Sequence, residues 1–210
     1  MKIIGHRGCW TDSVEKNSRL AFEVCFGRGF GTETDVRDFE GQVVISHDVV
    51  EYGARPMQLV ELFDIFNACG SPGTLALNVK SDGLAEAVKR EISRAGIEDY
   101  VLFDMSVPDT LAYRKHQLKY LVRASEYEPI CQDLLTESGI WLDGFLDDWF
   151  LPTFLENLIE EEIPVYIVSS ELHGRNPSAL WEGLKRYVGR DITLCTDWPD
   201  SAREAIGCHR

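Results

Sequence analysis

The sequence has 210 residues, of which 44% are hydrophobic and 27% are charged, with a formal net charge of -14. This composition is typical of one globular domain with a sizeable core and excludes disorder and a coiled coil. The acidic balance argues against a nucleic-acid-binding protein and against docking on an anionic membrane, although a local pocket for a small anion remains compatible with it.

Short β-rich runs alternate with segments of helical periodicity along the whole chain. In chain order the pattern predicts strand Lys2–Gly5, helix Asn17–Arg28, extended segments Gly31–Phe39 and Val43–His47, helix Met57–Asn67, strand Thr74–Lys80, helix Gly83–Ala95, strand Tyr100–Phe103, a helix near Pro108, strand Tyr120–Arg123, a short helix after Pro129, strand Gly139–Phe145, helix Pro152–Glu162, strand Pro164–Ser169, helix Ala179–Val188, strand Ile192–Thr196 and helix Ser201–Ile206.

This alternation predicts the architecture. Strands alternating with helices imply a parallel sheet, and about eight such units in a chain of this length favour a compact single (β/α)8 TIM-type barrel with few insertions. The alternative is a doubly wound open sheet, but no GxGxxG or GxxxxGK[ST] motif follows any strand. With no linker or internal repeat visible, we expect residues 1–210 to form one domain.

The cysteines and the N-terminal segment indicate the compartment. The six cysteines include no CxxC pair and no spacing typical of a zinc site, and a domain of this size does not need disulfides. The N-terminal MKIIGHRGCW lacks the apolar stretch of a signal peptide, and no run of about 18 apolar residues is present. These features predict a cytoplasmic protein with reduced thiols and no membrane insertion.

Polar residues collect at the predicted carboxyl ends of the strands, where barrel enzymes carry their active sites. His6-Arg7 ends the first strand, and His47 ends the return after the second. Two pairs of residues lie two apart, and therefore on one face of their strand: Glu33 with Asp35, and Asn78 with Lys80. The later strands end in Asp104, Arg123, Asp143, Ser169 and Asp197.

These residue types together indicate metal-assisted cleavage of a phosphodiester. Two carboxylates on one inward face repel one another unless a cation or basic groups lie between them, and hard oxygen ligands suit Mg²⁺, Ca²⁺ or Mn²⁺. Two histidines, His6 and His47, can serve as general acid and general base near neutral pH. Arginine and lysine side chains in the same mouth suit a phosphate. Arg123, at the end of its predicted strand, is a further candidate to reach the phosphate, with a surface ion pair as the alternative.

At these positions the chain resembles the glycerophosphodiester phosphodiesterase family, a branch of the phospholipase C-like phosphodiesterases. The matching motifs are His6-Arg7-Gly8, Glu33-Thr-Asp35, His47-Asp48, Asn78-Val-Lys80 and Thr196-Asp197-Trp198-Pro199. The resemblance touches both ends of the chain, and it also implies a (β/α)8 barrel.

The resemblance also implies a role for each residue. His6 and His47 would be the acid/base pair, and Arg7 and Lys80 would hold the phosphate. One divalent cation (Mg²⁺, Ca²⁺ or Mn²⁺) would bind Glu33 and Asp35, with Asn78 at the position of the third metal ligand. The reaction would convert a small glycerophosphodiester-like substrate into an alcohol and a phosphomonoester.

The chain departs from the family pattern in two places. Asn78 stands where the family has a carboxylate, so the ligand set loses one negative charge. The stretch between Asp48 and Met57 is short, so we expect a more open mouth. Both departures predict a divergent member and keep two alternatives open: a phosphodiesterase or lyase acting on a phosphosugar- or nucleotide-linked diester, and a non-catalytic phosphate-ligand binding protein with a degraded metal site.

Overall fold

The computed structural model describes residues 1–208, and its nine strands form one sheet. The strands are β1 (Lys2–His6), β2 (Gly31–Phe39), β3 (Gln42–Ile45), β4 (Leu75–Val79), β5 (Tyr100–Phe103), β6 (Val122–Ala124), β7 (Ile140–Leu142), β8 (Val165–Val168) and β9 (Ile192–Thr196). The α-helices of the described residues are α1 (Arg19–Gly27), α2 (Leu59–Ala68), α3 (Ala85–Ala95), α4 (Val107–Lys115), α5 (Thr153–Glu160), α6 (Ser178–Leu184) and α7 (Pro199–Ile206).

The eight strands other than β3 pair in parallel in the order β5-β4-β2-β1-β9-β8-β7-β6. The ends of this order meet through one parallel bridge between Leu102 and Tyr120, so the sheet closes on itself. The predicted (β/α)8 barrel is therefore confirmed. Strand β3 returns antiparallel along β2, as the Glu40-Gly41 turn indicates.

The core is divided between the inside of the barrel and the space beneath the helices. The interior cluster contains nine buried side chains: Ile4, Ala76, Val101, Phe103, Leu121, Trp141, Tyr166, Val168 and Cys195. Two larger clusters pack the outer faces of the strands against the helices. Polar side chains lie above the interior cluster, at the carboxyl ends of the strands.

The helices begin and end where local chemistry predicts. Helix α1 is capped by the Ser18 side chain, which accepts a hydrogen bond from the backbone of Ala21, and α3 ends at Gly96 in the left-handed conformation. The helix predicted after Pro129 is wrong in type, because this segment forms only a 3-10 turn, Gln132–Leu134. Its short apolar stretch packs against both helix-facing clusters without completing two helical turns.

Two further observations concern the helices and the cysteines. No helix within residues 1–208 is long and apolar enough to cross a membrane. All six cysteines are free thiols.

Candidate active site at the mouth of the barrel

The register of the strands places the predicted residues on the inner face of the sheet. His6 pairs with Glu33 across β1 and β2, and Asp35 pairs with Asn78 across β2 and β4. Residues paired in a parallel sheet point to the same face, so these side chains converge at the carboxyl ends of their strands. Arg7 follows directly after β1.

His6 is oriented by Asp197. The Nδ1 atom of His6 lies 2.7 Å from Asp197 Oδ1, and its Nε2 atom lies 3.9 Å from Glu33 Oε2. Burial of Asp197 raises its pKa, but the hydrogen bond and charge of His6, with Lys16 and Trp10, outweigh burial and leave this pKa below its ordinary value. The ionised Asp197 accepts a hydrogen bond from Nδ1–H of His6, so Nε2 is the nitrogen that faces the cavity.

The fully buried carboxylate of Asp35 contacts two positively charged side chains. Its Oδ2 atom lies 2.9 Å from Arg7 Nε and accepts a hydrogen bond from Asn17 Nδ2 at 2.9 Å. Its Oδ1 atom lies 3.5 Å from Lys80 Nζ. The two residues predicted to hold phosphate therefore contact Asp35 here. Asn17 is fixed by the hydroxyl of Thr34, which donates to Asn17 Oδ1.

Glu33, Asp35 and Asn78, on adjacent strands, place three buried oxygen atoms that accept no hydrogen bond. These atoms are Glu33 Oε2, Asp35 Oδ1 and Asn78 Oδ1. Burial raises the pKa of Glu33 to about 7, because His6, Arg7 and Lys80 only partly offset the loss of water. Within residues 1–208, no group of three histidine, cysteine or acidic side chains is arranged around a metal position. The two carboxylates and one amide nevertheless fit a hard cation, because each presents a buried oxygen that accepts no hydrogen bond.

His47 lines the same cavity but is more exposed than His6. Its Nδ1 atom lies 2.8 Å from Asp48 Oδ1, and its backbone carbonyl accepts a hydrogen bond from Arg37 at 3.0 Å. Asp48 directly follows His47 in the chain and pairs with its imidazole. Both predicted catalytic histidines thus have an aspartate at Nδ1.

Alternating charges cross the mouth from Lys80 to Glu128. Lys80 Nζ lies 3.3 Å from Asp104 Oδ2, Arg123 contacts Asp104 as well, and Arg123 Nη2 lies 2.9 Å from Glu128 Oε1. Arg123, predicted as a phosphate contact, lies in the cavity wall with both of its ends paired to carboxylates. A bound anion would therefore compete with Asp104 and Glu128 for this guanidinium.

Three residues of the mouth adopt the left-handed backbone conformation that side chains rarely take. These are Arg7, Asn17 and Asp104, with φ values of 60°, 57° and 74°. Gly8 has a φ of 86°, and a Cβ there would lie 2.7 Å from the Cβ of Ala21. Strained backbone of this kind persists where the surrounding structure fixes it, which is typical of functional sites.

The cavity between these groups has a volume of about 380 Å³. On the side opposite β2 it is lined by a pair that the sequence did not identify, because Asp143 and His173 belong to different loops. His173 Nε2 lies 2.6 Å from Asp143 Oδ1. The position of Asp143 at a strand end was the available signal. The rings of Phe103 and Trp141, 3.8 Å apart, also line the cavity.

The fold and the mouth define a (β/α)8 barrel with acidic, basic and imidazole groups around one cavity. No protein-family model and no curated protein matches this sequence. Solved structures of similar fold include a glycerophosphodiester phosphodiesterase from Parabacteroides distasonis, with 18% identity over 98% of this chain and 96% of that chain and a TM-score of 0.72. A second glycerophosphodiester phosphodiesterase, from Agrobacterium tumefaciens, has 15% identity over 95% of this chain and 97% of that chain, with a TM-score of 0.71.

The likeness also extends, more weakly, to barrels with other chemistry. A tryptophan synthase from M. tuberculosis has 12% identity over 98% of this chain and 87% of that chain, with a TM-score of 0.56. At these identities the likeness establishes the fold, and the reaction has to be argued from the site.

Proposed function

We propose that this protein is a metal-dependent phosphodiesterase that hydrolyses a small glycerophosphodiester-like substrate to an alcohol and a phosphomonoester. The observation that carries this proposal is the meeting of His6 and His47 in one cavity with Arg7, Lys80 and the acidic face of β2. The two structures of phosphodiesterases with similar fold and the motifs that resemble that family support the same reaction.

The two histidines supply the proton transfers. Each has an aspartate at Nδ1, so each Nε2 is available to a substrate in the cavity. One imidazole takes the proton of the attacking water or substrate hydroxyl, and the other gives a proton to the leaving alcohol. If a neighbouring hydroxyl attacks, the first product is a cyclic phosphate.

One divalent cation, Mg²⁺, Ca²⁺ or Mn²⁺, would bind to Glu33, Asp35 and Asn78. When bound it would supply stabilisation of the negative charge that develops on the phosphate oxygens. Arg7 and Lys80 lie beside this position and would orient the phosphate, Arg7 as a fork and Lys80 as a point charge. The amide of Asn78 gives a weaker ligand set than a third carboxylate would.

The alternative diesters share this chemistry, because a phosphosugar- or nucleotide-linked diester presents the same reacting group. A non-catalytic role is favoured by one observation: the carboxylate of Asp35 already contacts both Arg7 and Lys80, so its buried charge is compensated without a metal. In that reading the protein would bind a phosphate ligand equally well in chelator, without turnover.

We further propose that residues 1–210 act as one domain, in the cytoplasm, on a small-molecule substrate and without a nucleic-acid partner. The six free thiols and the net charge of -14 support this proposal.

The test is turnover on a panel of phosphodiesters with glycerol, choline, ethanolamine, sugar and nucleotide groups. Each is assayed with Mg²⁺, Mn²⁺, Ca²⁺ or chelator, and product analysis separates a phosphomonoester from a cyclic phosphate. We expect His47→Ala to abolish metal-dependent turnover. The matched control is His116→Ala, because His116 lies at the end of α4 and does not line the cavity. Absence of metal-dependent turnover on every diester would reject the proposal.

A further inference from the structure

A network of hydrogen bonds lies behind His6, on the side away from the cavity. It joins the end of β8 to the end of β9, and its centre is Glu171, in the 3-10 turn Ser170–His173 that follows β8. Glu171 lies outside the lining of the cavity. Its carboxylate therefore bears on the proposed hydrolysis only through another residue.

The carboxylate of Glu171 accepts hydrogen bonds from one backbone group and two hydroxyls. Its Oε1 atom accepts from the backbone N–H of Asp197 at 3.0 Å and from the hydroxyl of Thr196. Its Oε2 atom accepts from the hydroxyl of Ser169. A carboxylate suits this position because it carries acceptors only, and all of these groups can donate to it.

The two hydroxyls that donate to this carboxylate are themselves fixed. Ser169, directly after β8, and Thr196, the last residue of β9, are both fully buried. Ser169 accepts a hydrogen bond from Trp181 Nε1 of α6 at 2.9 Å. Thr196 accepts one from the backbone N–H of Trp198 at 3.1 Å. The carboxylate is thus anchored to two neighbouring strands and a helix, and a satisfied network of this kind holds one arrangement of its members.

Asp197 connects this network to His6. Its Oδ1 atom lies 2.7 Å from His6 Nδ1 and also accepts a hydrogen bond from Trp10 Nε1 at 3.0 Å, and its Oδ2 atom lies 3.5 Å from Lys16 Nζ. These contacts orient the side chain of Asp197, whereas Glu171 holds its backbone N–H. A shift of the backbone would move the Asp197 carboxylate relative to the imidazole, and proton transfer is sensitive to displacements of about 1 Å.

We infer that Glu171 is a positioning residue for the proposed acid/base reaction. By holding the backbone N–H of Asp197, it keeps the Asp197 carboxylate at Nδ1 of His6 and leaves Nε2 directed toward the substrate. This inference rests on the proposed phosphodiesterase function, in which His6 transfers a proton at Nε2. Glu171 does not contact the substrate, so its effect on the rate passes through Asp197 and His6.

The first test measures kcat and KM of Glu171→Ala, with the diester and cation that the wild-type protein turns over fastest. We expect kcat to fall by about tenfold or more, the range for a group that supports a residue of an active site, while KM changes little. Glu171→Gln keeps an oxygen that accepts from Asp197 and Thr196, so it should retain most of the wild-type kcat.

The matched control for Glu171→Ala is Glu61→Ala. The Glu61 carboxylate also accepts a hydrogen bond from a backbone N–H, that of Gln58 at 2.8 Å, but it does so at the start of α2. Loss of this bond weakens a helix terminus and leaves the surroundings of His6 unchanged. We therefore expect Glu61→Ala to keep the wild-type kcat.

A double-mutant cycle tests whether Glu171 acts through Asp197. Asp197→Ala removes the carboxylate that Glu171 positions. In this background Glu171→Ala should lower kcat by less than about twofold, because the two residues act as one unit. A role limited to the stability of the fold predicts the same fold-loss of kcat in both backgrounds.

A third measurement does not depend on turnover. The NMR resonances of the ring nitrogens of His6, read through its carbon-bound ring protons in the metal-free protein, report which nitrogen of the neutral imidazole carries the proton. His6→Gln identifies these signals. We expect the proton on Nδ1 in the wild type, in Glu171→Gln and in Glu61→Ala, and a mixture of both tautomers in Glu171→Ala.

These measurements separate the possible failures. An unchanged kcat in Glu171→Ala, equal losses in both backgrounds, a wild-type His6 protonated at Nε2, or an Nδ1 tautomer that persists in Glu171→Ala would overturn the positioning role. If Glu171→Ala does not fold, Glu171→Met, which keeps the length of the side chain without its carboxylate, takes its place. Absence of turnover in the wild type, together with a tautomer that depends on Glu171, would reject the phosphodiesterase and keep the positioning of His6.

Discussion

Glu33 provides the sharpest test of the electrostatics of this site. Burial raises its pKa from an ordinary value of 4.5 to about 7 in the absence of metal. The folded protein therefore holds a proton on Glu33 at pH values where the unfolded chain has released it. Stability from this group is then fully present below about pH 4.5, falls as the pH rises and levels off above pH 7.

The free-energy cost follows from the size of the pKa shift of Glu33. At roughly 1.4 kcal/mol for each pH unit, ionised Glu33 costs the folded, metal-free protein about 3 kcal/mol above pH 7. Glu33→Gln has nearly the same shape as the protonated acid and cannot ionise. We therefore expect the variant to match the wild type in stability near pH 4.5 and to exceed it by about 3 kcal/mol at pH 8.

The assay is urea unfolding in chelator at several pH values, with the difference between variant and wild type taken at each pH. Glu204→Gln is the control, because Glu204 is exposed on α7 and should give no pH-dependent difference. Saturating Mg²⁺, Ca²⁺ or Mn²⁺ should stabilise the wild type more than Glu33→Gln, and should therefore reduce the difference in unfolding free energy between them at pH 8. A difference that is constant with pH, or a wild type that is more stable than the variant at pH 8 in chelator, would refute the reasoning.

Three further predictions concern neighbouring contacts. Asp197→Asn removes the anionic acceptor that orients His6, so kcat on any turned-over diester should fall by about a hundredfold or more while KM changes little; an unchanged kcat would show that Asp197 does not position the imidazole. Asp35→Asn leaves Arg7 and Lys80 without their buried partner, so urea unfolding should show a loss of about 3 kcal/mol, and a loss below about 1 kcal/mol would contradict the ion-pair geometry. Gly8→Ala places a Cβ 2.7 Å from that of Ala21 at a φ of 86° and should lower stability by about 2 kcal/mol, whereas Gly27→Ala on α1, where a Cβ meets nothing within 4 Å, should be neutral or stabilising.

The sequence predicted the barrel because its two periodicities are local. The alternation of β-rich runs with helical spacing depends on nearby residues only, and strand ends in a parallel barrel must meet at one face. The convergence of His6, Glu33, Asp35 and Asn78 follows from that rule alone. Strand boundaries were less accurate, as in the predicted Gly139–Phe145, where only Ile140–Leu142 is paired.

Most side-chain pairings of the mouth could not be predicted, because they join residues that are far apart in the chain. Arg123 was a candidate for phosphate binding, but its fork is directed toward Asp104, 19 residues earlier, as well as Glu128. His173 reaches Asp143 across 30 residues and two loops. Such contacts depend on loop conformations, and the left-handed backbone of Asp104 shows how specific these are.

The closure of the barrel between β5 and β6 has a consequence for its motions. Among residues 1–208, only Leu102 on the β5 side forms backbone hydrogen bonds across this seam: it accepts from Leu121 at 2.8 Å and donates to Lys119 at 3.0 Å. By contrast, β1 and β9 are joined over four residue pairs. The seam is otherwise bridged by side chains: Phe103 stacks on Trp141 beneath it, and Asp104 contacts Arg123 above it.

Breathing of the barrel should therefore begin at this seam. Amide hydrogens of Leu102 and Leu121 should exchange with solvent deuterium faster than those of the β1–β9 pair, since fewer bonds must break to release them. The same residues that bridge the seam also line the substrate cavity. A ligand that fills the cavity would thus slow hydrogen exchange at the seam. The part of the cavity wall that contacts the ligand is also the part of the barrel where opening should begin.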